Sequence, residues 1–177
     1  MKLILINGTS GVGKTTLAKK VSDVLPMSFL LDLDEQRKFI SHWDEHILES
    51  GIFSFDIALG IAEACLKSGR DFVSGKAMMD KVIDGRDKNV LDMFIDIGKK
   101  HGAEIFEIML FADKDTVLDR AISRGFDSKP RLTPQKAEEY WEQMQEFQKK
   151  RIDSIPVNTT NLSSDEVFNK VRRILGI

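Results

Sequence analysis

The chain lacks the features that mark secreted and membrane proteins. Cys65 is the one cysteine among 177 residues, so an intrachain disulfide is impossible. No apolar run approaches the roughly 20 residues that span a bilayer, and the short run after Lys2 is too brief for a signal peptide. The net charge of −2 provides no excess of positive charge for coating nucleic acid. We therefore expect a cytoplasmic protein that neither enters a membrane nor binds nucleic acid broadly.

What the sequence does contain is a regular alternation of strand-like and helix-like hydrophobic patterns. This order predicts right-handed crossovers and a mostly parallel sheet covered by helices on both faces. The length suits one substantial core, so we expect a single domain. Strands are predicted at residues 2–7, 28–33, 71–75, 104–111 and 154–157. Helices are predicted at 14–25, from the second strand to about Gly51, at 55–68, 88–100 and 113–125, and from residues 134 and 163 onward.

Capping residues and prolines refine these boundaries. Pro134 is expected to open its helix, with Tyr140, Met144 and Phe147 on one face. Pro156 lacks a backbone N–H, so it would best suit an edge strand or a strand end. N-caps are predicted at Asp87, Asp113, Thr133 and Ser163, the last within a capping box that ends at Glu166.

The segment GTSGVGKT, between the first strand and the first helix, matches G-x-x-x-x-G-K-[ST] in the context that this motif requires. Its glycines let successive backbone amides point inward, and the helix N-terminus adds partial positive charge. The motif predicts that the Lys14 ammonium reaches the β- and γ-phosphates of a nucleoside triphosphate and that the Thr15 hydroxyl ligates Mg²⁺. The candidate nucleotide-binding residues are Gly8, Ser10, Gly11, Val12, Gly13, Lys14, Thr15 and Thr16.

The whole chain resembles the small-molecule and nucleoside monophosphate kinases with a P-loop, among them the shikimate-kinase-like and adenylate-kinase-like enzymes. The resemblance rests on the small size, the P-loop that begins at residue 8, arginines in the second half and the segment NTTN before the last helix. It implies an α/β P-loop NTPase fold, a three-layer sandwich with a five-stranded parallel sheet. One kinase domain would cover residues 1–177, with a small lid at about 125–134. ATP and Mg²⁺ would be the donor and the cofactor.

Two acids follow the second strand in FLLDLDEQ, two residues apart. If the strand continued, Asp32 and Asp34 would share one face near the mouth of the P-loop. They resemble the D-x-D of shikimate kinase, which implies that Asp32 holds Mg²⁺ together with Thr15 and that Asp34 is the catalytic base for the acceptor. Because FVSGK carries no acid after the third strand, Asp32 would do more of the metal binding. The alternative is that Asp34 only caps the next helix.

Arg120 and Arg124 occupy positions i and i+4 of a predicted helix, where like charges repel unless an anion lies between them. They resemble the R-x-x-x-R that precedes the lid in adenylate-kinase-like enzymes. This implies that Arg120 contacts the base or a phosphate and that Arg124 is catalytic, with Arg131 a weaker member of the set. Asp115 and Asp119 allow the alternative of a solvated charged face. The resemblance also makes Asn158, Thr159 and Thr160 candidates for the adenine site; the alternative is a plain turn.

The basic residues between 35 and 75 bear on the charge of the phosphate acceptor. Residues 35–75 supply only Arg37, Lys38, Lys67 and Arg70, few for a nucleoside monophosphate, so a small neutral or weakly charged hydroxyl compound fits better. Sugars, sugar acids and antibiotics are examples. Lys76 and Arg86 are possible acceptor contacts or solvated charges. The remaining alternatives are a nucleoside monophosphate kinase, an ATPase or switch without a small acceptor and a nucleic-acid 5′-hydroxyl kinase. His42 to His46 also match H-x-x-E-H, a weak zinc-peptidase signal.

Overall fold

A computed structural model describes residues 1–76, 78, 88–123 and 133–177. Within this part the chain forms one sheet of five parallel strands in the order β2-β3-β1-β4-β5, which confirms the predicted sheet. The strands are β1 (Lys2–Asn7), β2 (Phe29–Leu31), β3 (Phe72–Gly75), β4 (Glu104–Phe111) and β5 (Ile155–Asn158). Pro156 lies in the edge strand β5, as expected. The second strand ends at Leu31, earlier than the prediction.

Helices cover the sheet between these strands. They are α1 (Lys14–Asp23), α2 (Leu33–Arg37), α3 (Ile47–Lys67), α4 (Val90–Lys100), α5 (Lys114–Ser123), α6 (Pro134–Lys150) and α7 (Ser164–Leu175). None of those helices is both long enough and apolar enough to cross a bilayer.

The two faces of the central strand explain why the sheet needs helices on both sides. Leu3 and Leu5 lie in one apolar cluster with residues of α3, α4 and α6, whereas Ile4 and Ile6 lie in another with residues of α1 and α7. All four side chains are at most 1% exposed. A strand buried on both faces is typical of a parallel sheet inside a three-layer sandwich. The functional loops therefore lie at the ends of the strands.

Several predicted helix starts are confirmed by their capping bonds. The Thr133 hydroxyl accepts a hydrogen bond from the Lys136 amide at 3.2 Å. Ser163 and Glu166 form the predicted capping box of α7. The cap of α4 is Asn89, whose Oδ1 accepts from the Asp92 amide at 2.9 Å, so the helix begins later than predicted. Asp87 lies outside the described residues.

The predicted division of residues 34–68 into two helices broken near Gly51 is wrong. The first helix, α2, ends at Arg37, and turns lead to α3, which continues through Gly51. Gly51 keeps a helical backbone and lies beside the Arg37 guanidinium, where a Cβ would come within 3.8 Å of its atoms. The helix passes through Gly51 without a break, so this glycine does not end a helix.

The buried face of α6 also differs from the prediction. Met144 and Phe147 are 2% and 3% exposed, whereas Tyr140 is 38% exposed. Trp141 turns inward instead, and its Nε1 donates to the Ala112 carbonyl at 2.9 Å. The N–H of a partly buried indole favours a hydrogen-bond acceptor, and the carbonyl after β4 provides one. Trp141 therefore ties α6 to the loop that begins α5.

Candidate functional site

The loop between β1 and α1 has a backbone that only glycine can adopt. Gly11 and Gly13 have φ values of +89° and +94°. A Cβ at Gly11 would lie 2.9 Å from the Val117 carbonyl oxygen of α5, and a Cβ at Gly8 would overlap the Leu110 carbonyl of β4. The loop thus packs closely against β4 and α5 at the carboxyl edge of the sheet, where parallel α/β proteins bind ligands.

The N-terminus of α1 is suited to an anion. Gly13 is its N-cap, no side chain among the described residues caps it, and its first turn contains no acidic residue. The amides of this turn and the helix dipole therefore present positive charge to the loop. Lys14 adds a full charge, and its Nζ donates to the Thr9 carbonyl at 2.6 Å. Thr9 is 3% exposed, and its Oγ1 has no hydrogen-bond partner among the described residues. These features fit the phosphates of a nucleotide.

A cleft of about 190 Å³ opens on the α7 side of this loop. Arg120 crosses it from α5, and its guanidinium donates to the carbonyls of Thr159 at 2.9 Å and Thr160 at 3.3 Å. The cleft is lined by Gly11, Val12, Gly13, Thr16, Leu17, Arg120, Thr159, Leu162, Ser164 and Val167. The structure thus brings the predicted base-site residues Arg120 and Thr159 next to the loop. The sequence prediction did not include the contribution of α7.

The turn after β5 is held rigidly. The Thr159 amide donates to the Phe111 carbonyl at 2.8 Å, and the Asn158 carboxamide oxygen accepts from the Thr160 amide at 2.9 Å. The Thr160 hydroxyl accepts from the Asp113 amide at 3.0 Å. Hydrogen bonds from Thr116 lower the pKa of the Asp113 carboxyl, because they stabilise its ionised form at the start of α5. The side chains of Asn158 and Thr160 therefore shape the turn.

Asp32 and Asp34 do not share one face of a strand, so that prediction is wrong. The chain leaves the sheet after Leu31, and Asp32 becomes the N-cap of α2. Its Oδ1 accepts from the amides of Asp34 at 2.9 Å and Glu35 at 3.2 Å. Asp34 lies in the first turn, where its Oδ1 forms an ion pair with the Lys76 ammonium. The alternative that Asp34 is the helix cap is also wrong.

The order of the strands places the P-loop, Lys76 and Asp34 in one row. Strand β3 lies between β1 and β2, so Lys76, just after β3, comes between the P-loop and Asp34. Gly75 packs against α1, where a Cβ would lie 2.9 Å from the Lys14 carbonyl oxygen and 3.0 Å from the Ala18 Cβ. The row thus runs from the phosphate loop to the two acids. The predicted Arg86, Arg124 and Arg131 lie outside the described residues, as does the lid before Thr133.

Other basic residues near the acids are engaged in protein contacts. Nε of Arg37 donates to the Ser50 hydroxyl at 2.9 Å, Nη2 donates to the Ile47 carbonyl, and the guanidinium lies 5.2 Å from the Trp43 ring centre. Lys38 pairs with Glu35 at 2.6 Å on the surface. Arg37 therefore fastens α2 to the start of α3.

The histidines of H-x-x-E-H do not lie on a helix. Residues 42–46 form turns between α2 and α3, and His42 has a φ of +55°. In the described part of the chain, no three His, Cys, Asp or Glu side chains form a group that could hold a metal ion. Nothing in these residues supports the zinc hypothesis.

Comparison with known proteins gives a match of structure rather than of sequence. No family model and no curated protein sequence matches the chain. The tunicamycin resistance protein of Deinococcus radiodurans is similar in structure, with a TM-score of 0.65, 20% identity and coverage of 99% of this chain and 96% of that one. A gluconokinase of Sinorhizobium meliloti 1021 has a TM-score of 0.64, 11% identity and coverage of 99% and 91%. A deoxyadenosine kinase of M. mycoides has a TM-score of 0.58, 17% identity and coverage of 99% and 98%. The protein has the fold of the P-loop kinases.

Proposed function

We propose that the protein is an ATP-dependent, Mg²⁺-requiring phosphotransferase that acts on a hydroxyl group of a small molecule. One observation carries the proposal: a glycine-rich phosphate loop and the carboxylate of Asp34 lie at the same edge of the sheet, separated by the end of a single strand. A carboxylate on this side can orient the oxygen that attacks the γ-phosphorus. Phosphoryl transfer requires one group to hold the donor and another to orient the hydroxyl.

The donor side is assigned to the loop and its helix. The backbone amides of Gly8 to Thr16 would hold the phosphates, and Lys14 would exchange the Thr9 carbonyl for a phosphate oxygen. Thr15 and Asp32 would hold Mg²⁺, which supplies positive charge to the phosphates. Oδ1 of Asp32 accepts the hydrogen bonds of the helix cap, so its second carboxylate oxygen would be the metal ligand.

The base of the nucleotide is assigned to the cleft between α5 and α7. Arg120 would cover one face of the adenine, and the turn Asn158 to Thr160 would border its edge. Thr159 is 1% exposed, and its backbone is fixed to β4, so the turn needs no rearrangement on binding. Arg124 remains our proposed catalytic arginine, which would stabilise the transferring group from a position just before the lid at about residues 125–134.

The acceptor is assigned to the side of Asp34. Of the basic residues between 35 and 75, Arg37 and Lys38 are engaged with neighbours, and Lys67 and Arg70 flank the amino end of β3, at the opposite edge of the sheet. A phosphate-bearing acceptor would need several basic side chains here. The charge distribution therefore favours a neutral or weakly charged hydroxyl compound over a nucleoside monophosphate.

The test is an acceptor screen read as ADP release and as labelled phosphate in the product. The structural neighbours suggest the panel, namely nucleosides, sugar acids such as gluconate, and tunicamycin-type antibiotics. It also contains sugars, nucleoside monophosphates and an oligonucleotide. We expect one class to raise ADP release at least about tenfold, and Asp34→Asn to lose this stimulation while binding ATP normally.

Glu35→Gln is the matched control, because Glu35 is the next residue and its carboxylate pairs only with exposed Lys38 among the described residues. It should keep the stimulation. ADP release that no acceptor changes would refute the proposal in favour of an ATPase. Stimulation that survives in Asp34→Asn would place the catalytic base elsewhere.

A further inference from the structure

Lys76 makes an ion pair that the proposed reaction does not explain by itself. Its ammonium contacts Oδ1 of Asp34, 42 residues away in sequence. The side chain of Lys76 is 27% exposed and that of Asp34 is 47% exposed. The neighbouring pair of Lys38 and Glu35 has exposures of 55% and 65% and joins residues of a single turn. The first pair is therefore the more shielded and links two separate elements of the site.

The position of Lys76 is set by the phosphate loop. Strand β3 pairs with β1 through Gly75 and Ile6, the residue just before the last of β1. Gly75 also packs against the Lys14 carbonyl, so closely that a Cβ there would have to displace backbone. The backbone that carries Lys76 is thus held against the start of α1, and through the ion pair the Asp34 carboxylate is held relative to that same point.

We propose that Lys76 is a positioning residue, which fixes the direction of the Asp34 carboxylate toward the acceptor hydroxyl. This inference rests on the proposed phosphotransferase function. In the transfer step the acceptor oxygen forms a bond to the γ-phosphorus while the bond from that phosphorus to the β–γ bridging oxygen breaks. The hydroxyl proton passes to Asp34, and ADP leaves with the bridging oxygen. Lys76 touches neither reactant.

A fixed cation beside a carboxylate removes rotational freedom from a short side chain, so the base meets the hydroxyl in one orientation. This effect acts on turnover more than on the binding of ATP, because the phosphates lie with the loop.

The test uses Lys76→Met, Lys76→Arg, Asp34→Asn and the double variant Lys76→Met/Asp34→Asn. The matched control is Lys38→Met, which removes the more exposed lysine pair next to the same site. All are assayed for ADP release with the most stimulating acceptor, and their fold is checked by circular dichroism and urea unfolding. We expect Lys76→Met to lower kcat about tenfold with the KM for ATP unchanged, and Lys76→Arg to recover most of the loss. Lys38→Met should match the wild type.

The double variant decides between positioning and a general structural role. If Lys76 acts through Asp34, Lys76→Met adds no further loss to Asp34→Asn. Equal fold-losses in both backgrounds, or wild-type kcat in Lys76→Met, would overturn the inference while leaving the phosphotransferase proposal intact. If no acceptor stimulates the wild type, the proposed function fails first, and the role of Lys76 in transfer falls with it.

Discussion

Replacing Arg151 by Met should reveal how strongly one buried cluster of charges holds the fold together. Arg151 follows α6 and donates from Nε and Nη2 to the two carboxylate oxygens of Glu107, at 2.8 Å and 2.6 Å. Its Nη1 donates to Asp92 in the first turn of α4 at 2.6 Å. Hydrogen bonds with Glu107, and then those with Asp92, raise the pKa of Arg151 above its usual value. One guanidinium thus joins β4, α4 and the end of α6.

The expected loss of stability follows from the burial of the partners. The Glu107 side chain in β4 is 7% exposed, so loss of Arg151 leaves a nearly buried carboxylate unpaired, which costs about 3 kcal/mol. Asp92 is 37% exposed and regains water, so its share is roughly 0.5 kcal/mol. With a typical urea m-value of about 2 kcal/mol per molar, the unfolding midpoint should fall by about 1.75 M.

The assay is equilibrium unfolding in urea at neutral pH, followed by circular dichroism. Lys149→Met is the control, because Lys149 pairs with Glu146 at exposures of 70% and 69%, and its midpoint should move by less than about 0.3 M. The double variant Arg151→Met/Glu107→Leu should recover most of the loss, since no buried charge remains. A midpoint shift in Arg151→Met no larger than that of the control would refute the reasoning.

Three further outcomes are expected. Lys14→Ala should fold normally yet lose phosphoryl transfer by at least about a hundredfold, and wild-type turnover in that variant would contradict the P-loop assignment. Arg120→Ala removes the hydrogen bonds to the Thr159 and Thr160 carbonyls and should weaken ATP binding about tenfold by calorimetry, with unchanged affinity counting against the base cleft. Hydrogen bonds from Ser163 lower the pKa of Glu166, so wild type should exceed Glu166→Gln in stability above about pH 4.3 and lose that advantage on further acidification, as urea midpoints measured across pH would reveal.

The sequence was sufficient for the architecture because each element carried its own local signal. The two faces of β1, the capping box of α7 and the glycines of the P-loop depend on neighbouring residues, and all were predicted correctly. The strand order needs long-range pairing, but the alternation of strands and helices restricts it to few topologies. The edge position of Pro156 followed from its missing amide.

The errors arose where contacts distant in sequence decide local structure. Gly51 signals a break by propensity, but it lies within α3, beside the guanidinium of Arg37, the last residue of α2. In a strand, the spacing of Asp32 and Asp34 would place both carboxylates on one face, whereas at a helix start it makes Asp32 the N-cap and places Asp34 in the first turn. Which arrangement forms depends on where β2 ends. The ion pair of Lys76 with Asp34 could not be predicted from either segment alone, because it forms only when β3 lies between β1 and β2 in the sheet.

The double duty proposed for Asp32 restricts which residues this position can accept. As N-cap of α2 it needs a short side chain with an acceptor oxygen, and Asn meets that need nearly as well as Asp. As a ligand of Mg²⁺ it needs a negative charge, which Glu would keep but with a reach too long for the cap. Asn would thus lower the affinity for Mg²⁺ while keeping the stability of α2, and Glu would keep the negative charge while destabilising α2. Either replacement of Asp32 therefore loses one of the two roles.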